Sequence, residues 1–290
     1  MMKRTVLVTG ASRGIGLLTT KTLAKAGFQV FAGIRDIKER NAAVVRLLNE
    51  YAELNSLQIT VVEMDVTNEV SVNNAIEKIE ETNPINVVIN NAGIMPVGLT
   101  EAYTIDEYQK CMDVNVYGPA RIMRASLPYM RKRKSGLIIN ISSNAGRIAI
   151  PYFGIYCASK FALEAYTEAL HYEVEPFGVE AILVEPGGHG TDLVSNPPTP
   201  SDKKVLTQYG DLVKGRDKIL DMFQGMFARQ DASTDAQNVA DKILGLIEMR
   251  KSRPMRSTVG HDMGIEKINK ESDIAQIALI DMLKPVYSVN

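Results

Sequence analysis

Cysteine is scarce in this sequence of 290 residues, which contains only Cys111 and Cys157. Two thiols make a poor disulfide framework, and neither cysteine has a metal-type partner at short spacing. The sequence therefore predicts no metal site and a reducing, cytoplasmic location. Long apolar runs are missing too. No stretch approaches the roughly 18 uninterrupted apolar residues of a membrane-spanning helix, so we expect no membrane partner.

An excess of charge of either sign is also absent. The chain has 33 lysines and arginines against 34 aspartates and glutamates, and its net charge is −1. This balance gives no reason to expect a nucleic-acid partner. Apolar residues make up 45% of the chain, as in an ordinary globular protein. Because a single α/β domain of this length can bury a large core, we expect residues 1–290 to form one domain.

Short apolar runs alternate with longer stretches that carry apolar residues at helical spacing, such as Ile15–Ala26, Val70–Glu81 and Tyr156–Glu175. The predicted strands are Thr5–Thr9, Gln29–Ile34, Gln58–Glu63, Asn86–Asn90, Leu137–Ser142, Val179–Glu185 and Met255–Val259. Strands that are apolar throughout and separated by helices indicate a parallel sheet with both faces covered. Right-handed crossovers then predict a doubly wound α/β sheet of about seven strands.

One region interrupts this alternation. After Glu185 the next clear helical pattern comes only at Ala236–Met249. The proline-rich run Asn196–Pro200 lies between them and cannot form regular helix or central strand. An amphipathic pattern follows at Asp217–Phe227. Because long insertions in compact domains are usually functional or disordered, we interpret residues 190–235 as a substrate lid. A simple surface excursion is the alternative.

A glycine-rich turn, Thr9–Gly16, follows the first predicted strand and precedes a helix. Glycines permit a tight turn and let the backbone approach a ligand closely. The helix N-terminus behind them offers unpaired N–H groups that suit a pyrophosphate. The spacing is G-x-x-x-G-x-G rather than the usual dinucleotide fingerprint. Taken alone, the turn could also be a strand-to-helix connection without a ligand.

Two further segments carry a family resemblance. Asn90-Asn91-Ala92-Gly93 ends the fourth predicted strand, and Ser143 precedes the run from Tyr156 to Lys160. Together with the glycine turn and a later P-G-x-x-x-T run, this order of motifs resembles the short-chain dehydrogenase/reductase superfamily. Residues 25–40 and 181–192 resemble its steroid- and retinoid-dehydrogenase-like branch. The resemblance implies a single Rossmann-type domain.

The resemblance also implies roles for individual residues. The catalytic positions that it implies are Ser143, Tyr156, Lys160 and Asn115. The cofactor-binding positions that it implies are Gly10, Ser12, Arg13, Gly14, Ile15, Gly16, Arg35, Asp65, Val66, Asn90, Asn91, Ala92, Gly93, Tyr156, Lys160, Pro186, Gly187, His189 and Thr191. His189 departs from the family, which usually has an apolar residue there. The family further implies a homodimer or homotetramer.

The proposed catalytic residues make chemical sense without the family. Reduction of a ketone by hydride builds negative charge on oxygen, and a donor must neutralise that charge as it forms. Lys160 lies one helical turn from Tyr156, on the same face, so we expect its charge to lower the tyrosine pKa. Ser143 could hold the substrate oxygen, and Asn115 could hold a water that links Lys160 to solvent.

The end of the second strand bears on the choice of cofactor. Folds that bind NAD usually place an acid there, on the ribose 2′-hydroxyl. By the resemblance, Ile34 occupies that position and Arg35 the next one, with Arg13 as a second nearby cation. Two arginines and no acid suit a 2′-phosphate, so NADP(H) is favoured. NAD(H) is the alternative, because a one-residue shift would bring Asp36 to the ribose.

The substrate is expected to be a small carbonyl compound or alcohol, of lipophilic or aromatic character. The residues expected to form an apolar pocket are Ile148, Ile150, Pro151, Tyr152, Phe153, Met222, Phe223, Met226 and Phe227. Pockets of this composition are common in binding sites, although a fold does not determine its substrate. The alternatives on the same fold are a non-catalytic NADP-binding sensor or scaffold, and a dehydratase or epimerase.

Overall fold

The computed structural model describes residues 4–195, 197–229, 232–250 and 252–287. Seven parallel strands form one sheet in the order β3-β2-β1-β4-β5-β6-β7. The strands are β1 Thr5–Thr9, β2 Gln29–Ile34, β3 Ile59–Glu63, β4 Ile85–Asn90, β5 Gly136–Ile141, β6 Val179–Pro186 and β7 Arg256–Val259. The predicted doubly wound α/β sheet is confirmed, and every predicted strand is found to within about one residue.

The helices follow the strands in the predicted alternation. They are α1 Gly14–Lys25, α2 Ala42–Leu54, α3 Glu69–Glu80, α4 Ile105–Met112, α5 Gly118–Arg133, α6 Gly154–Val174, α7 Asp192–Ser195, α8 Lys203–Gln208, α9 Gly215–Ala228, α10 Gln237–Glu248 and α11 Ile265–Tyr287. The amphipathic pattern at Asp217–Phe227 lies within α9. The long α11 was not predicted. Within the described ranges, no helix combines the length and the apolar character needed to cross a bilayer.

Both faces of the central strands are buried, which explains the largely apolar sequences of β1 and β5. Along β1, Val6 and Val8 belong to one core cluster, which also contains residues of α1 and α10. Leu7 belongs to a second cluster on the other face, with residues of α3, α5 and α6. Alternation of side chains along a strand therefore sends successive residues into two separate cores.

The strand order determines where a ligand can bind. β1 pairs with β2 on one side and with β4 on the other, so successive crossovers leave in opposite directions at this point. A crevice forms outside the carboxyl ends of the strands at such a switch point. The glycine turn after β1 and the loops after β4, β5 and β6 all meet at that edge.

Three buried polar side chains connect β4, β5 and α6 beneath this crevice. The Asn90 amide donates to Asn140 Oδ1 at 2.7 Å, and the Asn140 amide donates to Thr167 Oγ1 at 2.8 Å. Asn90 is only 2% exposed. The family resemblance implied that Asn90 contacts the cofactor; its side chain does not line the cavity, and a contact through its backbone stays a prediction. The side chain points along the sheet to Asn140, whereas Asn91 turns toward the crevice.

We expect Asn140→Ala to destabilise the fold, because it leaves the buried amide of Asn90 without its acceptor. A buried unsatisfied polar group costs about 1–3 kcal/mol, so the free energy of unfolding should fall by at least that amount. The midpoint of urea denaturation measures the effect. Asn83→Ala removes an exposed hydrogen bond to Thr82 and serves as the control, with an expected change within about 0.5 kcal/mol. Equal effects of the two substitutions would contradict the prediction.

Candidate active site

The glycine turn after β1 packs tightly against the loop that follows β4. Gly10 has φ +65°, and a Cβ there would lie 2.8 Å from Ala92 Cα. A Cβ on Gly16 would lie 2.4 Å from both Asn91 Nδ2 and the Gly10 carbonyl oxygen. Asn91 secures the turn, since its amide donates to the Thr9 carbonyl at 2.9 Å. Only glycine fits at these two positions of the turn.

This turn opens into a cavity of about 330 Å³. The residues of the turn that line the cavity are Gly10, Ser12, Arg13, Gly14 and Ile15. Gly16 is buried behind them and has a packing role, which differs from the cofactor contact implied by the family. No side chain caps α1, whose N-cap residue is Arg13. The first N–H groups of a helix lack intrahelical partners, so this end suits a phosphate group.

Ser143, Tyr156 and Lys160 also line the cavity. Ser143 follows β5, and its hydroxyl accepts a hydrogen bond from the Ala145 amide at 3.1 Å. The Tyr156 side chain is close enough for the Ser143 hydroxyl to lower its pKa. Lys160 Nζ donates to the Ile141 carbonyl at 2.7 Å. The three residues thus share one wall, because the loop after β5 meets the start of α6.

The proton affinities of this wall are dominated by burial. Burial raises the pKa of Tyr156 to about 12, although the neighbouring Ser143 side chain acts in the opposite direction. Burial lowers the pKa of Lys160 to about 8. Lys160 Nζ lies 5.8 Å from the centre of the Tyr156 ring. The expected lowering of the tyrosine pKa is therefore wrong for this structure, because the loss of solvent is the largest cause and raises the pKa.

Asn115 lies behind that wall, in a π-helical turn that joins α4 to α5. Its Oδ1 accepts from the Ile94 amide at 2.9 Å, and its Nδ2 donates to the Ile94 carbonyl and to Ser159 Oγ, both at 2.9 Å. The side chain thus ties the loop after β4 to α6, and it is not among the residues that line the cavity. A water link from Asn115 to Lys160 stays a prediction.

Three arginines surround the far end of the cavity. Arg13, Arg35 and Arg40 all line it, beside Ile34 at the end of β2. Arg40 was missed in the sequence, because it follows the strand by several residues and reaches the cavity only through the turn between β2 and α2. Asn41 shapes that turn by donating from its side chain to the Arg35 carbonyl at 2.7 Å.

Asp36 does not line this cavity, in contrast to its neighbour Arg35. Its backbone has φ +50°, a left-handed conformation that carries the chain away from the strand direction. Asp65, which follows β3, does line the cavity with Val66. The Asp65 carboxylate accepts from the Thr67 amide at 2.9 Å, which holds the loop against the end of the sheet.

A model of the short chain dehydrogenase family matches residues 4–200, which is more than half of the chain. The matched range includes the glycine turn and the wall formed by Ser143, Tyr156 and Lys160. The chain belongs to the short-chain dehydrogenase family.

Individual relatives agree with this assignment. A 3-ketodihydrosphingosine reductase of Bacteroides thetaiotaomicron is 41% identical over 197 residues, which cover 68% of each chain. The uncharacterized oxidoreductase YusZ of Bacillus subtilis is 33% identical over 265 residues, which cover 90% of each chain. A solved short-chain dehydrogenase from Streptomyces avermitilis is 28% identical, with a TM-score of 0.75 over 98% of this chain and 97% of that one. These relatives support a dehydrogenase or reductase reaction.

The loop after β6 contains His189, the residue expected to depart from the family's usual sequence. Pro186, Gly187, His189 and Thr191 all line the cavity. His189 is only 4% exposed, and its Nδ1 lies 3.0 Å from the Gly187 carbonyl oxygen. Burial lowers the His189 pKa, so the ring is neutral and Nδ1–H donates. A Cβ on Gly260 would lie 2.7 Å from His189 Cε1, so glycine makes room for the imidazole.

The insertion after β6 covers the other end of the cavity. Phe223 and Phe227 on α9 line the cavity with Leu193, Val194 and Phe153. The Phe223 ring stacks on Phe227, with centroids 6.3 Å apart, and meets Phe153 edge-on at 6.0 Å. The expected apolar pocket is thus present, and Met95 and Met263 add to it.

Several residues expected in the apolar pocket lie elsewhere. Those outside the cavity lining are Ile148, Pro151, Tyr152, Met222 and Met226. Met222 is 55% exposed, because it lies on the outer face of α9. The helical periodicity identified the helix but did not distinguish its inner face from its outer one.

The first half of the insertion is fastened to the loop that follows β4. The Pro198 carbonyl accepts from the Val97 amide and from the Tyr103 hydroxyl, both at 3.0 Å. Arg216 Nε donates to the Val97 carbonyl at 2.9 Å. The Tyr152 hydroxyl donates to the Leu212 carbonyl, also at 2.9 Å. These bonds position α9 over the cavity. Asn196, in the predicted proline-rich run, lies outside the described residues.

Proposed function

We propose that this protein is an NADP(H)-dependent carbonyl reductase, with Tyr156 as its proton donor. The observation that carries the proposal is that Ser143, Tyr156 and Lys160 line the same cavity as the glycine turn. A pKa near 12 keeps the phenol protonated at neutral pH. A protonated phenol is the form that reduction of a carbonyl requires.

The glycine turn, the uncapped start of α1 and the three arginines fit a nicotinamide dinucleotide. When bound, that cofactor supplies the hydride. The chain's own residues orient the substrate and supply the proton. Ser143 orients the carbonyl oxygen, and Tyr156 donates a proton to it as negative charge develops. Lys160 lies one turn away on the same face of α6, and a pKa of about 8 leaves it mostly protonated at neutral pH.

We expect Tyr156→Phe to abolish most turnover while NADP(H) binding persists. General acid–base groups contribute roughly 10²–10⁴-fold, and the ring that fills the wall is retained. Oxidation of NADPH with a panel of ketones measures turnover, and NADPH fluorescence measures binding. Near-normal turnover in this variant would exclude Tyr156 as the proton donor. A wild-type protein that binds NADPH but reduces no ketone would instead favour the sensor or scaffold alternative.

The preference for NADP(H) rests on the charges at the far end of the cavity. Arg13, Arg35 and Arg40 supply three guanidinium groups, and the acid position at the end of β2 is occupied by Ile34. A guanidinium fork suits the geometry of a phosphate. Asp36, the residue that would favour NAD(H), lies outside the cavity lining.

We expect Arg35→Ala and Arg40→Ala to weaken NADPH binding and to leave NADH binding almost unchanged, because NADH has no 2′-phosphate. A charge-assisted hydrogen bond is worth about 1.5–3 kcal/mol, so each loss should be about 10- to 150-fold. Ile34→Asp should shift the preference toward NADH. The measurement is kcat/KM with both cofactors. Arg46→Ala is the control, since Arg46 is exposed and paired with Glu50 on α2. A wild-type preference for NADH would refute the proposal.

The cavity also restricts the substrate. The charged residues that line it within the described ranges are Arg13, Arg35, Arg40, Asp65, Lys160 and Asp192. All of the cations belong to the glycine turn, to the segment after β2 or to the catalytic wall, which is the wall formed by Ser143, Tyr156 and Lys160. The only charged lining residue from the insertion is Asp192. A substrate with a carboxylate would therefore find no cation beneath α9. We propose a lipophilic ketone, which agrees with the keto substrate named for the Bacteroides relative.

We expect Phe223→Ala and Phe227→Ala to raise KM for large apolar ketones more than for small ones. Burial of an aromatic side chain contributes about 1.5–3 kcal/mol, and only a large ketone reaches both rings. Met222→Ala on the outer face of α9 is the matched control and should change neither KM. The comparison of KM across ketones of increasing chain length tests this. Uniform effects on all substrates would contradict the proposed position of the pocket.

The remaining organisation is part of the same proposal. Residues 1–290 form one domain, with residues 190–235 as its substrate lid, and the protein assembles as a homodimer or homotetramer. Sedimentation velocity measures the assembly directly.

A further inference from the structure

Two buried glutamates lie behind the catalytic wall and have no role in the reaction described above. Glu164 is on α6, one helical turn beyond Lys160, and is 2% exposed. Glu185 is near the end of β6, just before Pro186, and is fully buried at 0% exposed. Ionised carboxyl groups are rarely buried to this degree unless they are paired. We call these two residues the carboxyl pair.

The carboxyl pair has too few cations around it to be fully ionised. Arg256 on β7 is the closest, with Nε 3.1 Å from Glu164 Oε2 and 3.6 Å from Glu185 Oε1. The acidic groups gathered here are Glu164, Glu185, Glu168 on α6 and Asp273 on α11. The cations that face them are Arg256, Arg147 and, one turn away on α6, Lys160. Arg256 also contacts Glu168 and Asp273, so its charge is shared.

The hydrogen bonds point to a missing proton. Asn269 donates to Glu185 Oε2 at 2.5 Å, and Arg256 donates to Glu164 Oε2 at 3.1 Å. If both groups are counted as carboxylates, the Oε1 atom of each lacks a donor among the described residues. The two carboxyl groups are nevertheless close neighbours, because Arg256 Nε lies 3.1 Å from Glu164 Oε2 and 3.6 Å from Glu185 Oε1. A proton shared between the two groups would reduce the number of acceptors that lack a donor.

The expected direction of titration agrees with this geometry. Burial and the neighbouring Glu164 together raise the pKa of Glu185 to about 8, against a hydrogen bond from Asn269. Burial also raises the Glu164 pKa, opposed by Ser142 and Arg256. The pair therefore keeps a proton at neutral pH that it would not hold in the unfolded chain.

The carboxyl pair touches both segments that form the catalytic wall. Ser142, the residue before Ser143, is a close neighbour of Glu164, and its buried hydroxyl has no hydrogen-bond partner among the described residues. A Cβ on Gly146 would lie 2.6 Å from Ser142 Oγ and 3.0 Å from Glu164 Cγ, so the loop after β5 sits directly on the glutamate. Pro186 and Gly187 continue from Glu185 into the cavity lining.

We propose that Glu164 and Glu185 share one proton and act as positioning residues, which hold the loop of Ser143 and the loop after Pro186 in register for binding and turnover. Loss of the proton leaves two adjacent anions beside one arginine. Their repulsion then moves the two loops apart and disturbs the cavity that the loops line. No group that touches the substrate is removed.

The proposal fixes the sign of the pH dependence. A carboxyl group whose pKa is raised on folding binds a proton in the native state that the unfolded state has lost. Stability therefore declines as the pH rises from about 4.5, the ordinary value, toward about 8, and levels off above that. Affinity for NADPH declines around and above pH 8, because the fraction of protein in the competent state falls.

The test compares wild type with Glu185→Gln. Glutamine keeps a donor toward Glu164 and an acceptor for Asn269 but cannot lose a proton. In wild type, the Kd for NADPH should rise about tenfold from pH 7 to pH 9, if only the protonated form binds. In Glu185→Gln the Kd should rise much less over the same range. Titration of Lys160 affects both proteins equally, so it cancels in the comparison. The Tm difference between the proteins should also grow by about 5 °C from pH 5.5 to 8.5.

Glu164→Gln provides an independent second variant, because glutamine at this position also cannot lose the shared proton. It should reduce the pH dependence of both the Kd for NADPH and the Tm, as Glu185→Gln does. Glu180→Gln is the matched control on β6. Glu180 is paired with Arg253, and its loss should shift Tm while leaving the shape of both pH profiles as in wild type. The proposal would be overturned if wild type and Glu185→Gln showed the same pH dependence. It would also be overturned if Glu180→Gln reduced the pH dependence as well. Neither measurement requires turnover, so the result is separate from the test of Tyr156.

Discussion

The close approach of the glycine turn to the loop after β4 is the constraint on which the rest of the site depends. Gly10 leaves only 2.8 Å to Ala92 Cα at the position of a Cβ, and Gly16 leaves 2.4 Å to Asn91 Nδ2. Because β1 and β4 are neighbours at the point where the sheet changes direction, their loops must share this narrow space. The contact sets the floor of the cavity, and the other loops are arranged around it.

Burial, rather than pairing of opposite charges, governs the proton chemistry of the molecule. It raises the pKa of Tyr156, lowers that of Lys160 and His189, and raises those of Glu164 and Glu185. Each shift favours the neutral form of the group. The catalytic wall therefore resembles a low-dielectric interior, in which small displacements of charge have large energetic consequences.

The fold and most of the cavity lining could be predicted from the sequence, because their signals are local. Strands such as Gln29–Ile34 are continuous apolar runs, and the glycine turn is a contiguous motif. The features that the sequence did not reveal have a common cause in tertiary structure. Arg40 reaches the cavity through a turn stabilised by Asn41, Asn90 is drawn into the sheet by Asn140, and the Tyr156 pKa depends on solvent access. None of these effects is encoded within a short window of sequence.

The attachment of the insertion to the body of the protein relies largely on backbone carbonyl groups. Those of Pro198, Val97 and Leu212 accept the bonds that hold it. A backbone carbonyl is present whatever the side chain, so substitutions at the inward-facing positions of α9 leave these acceptors in place. Evolution can therefore exchange the side chains above the cavity one at a time while the backbone of the insertion keeps its position. A protein built in this way can acquire a new substrate range without having to solve its folding problem again.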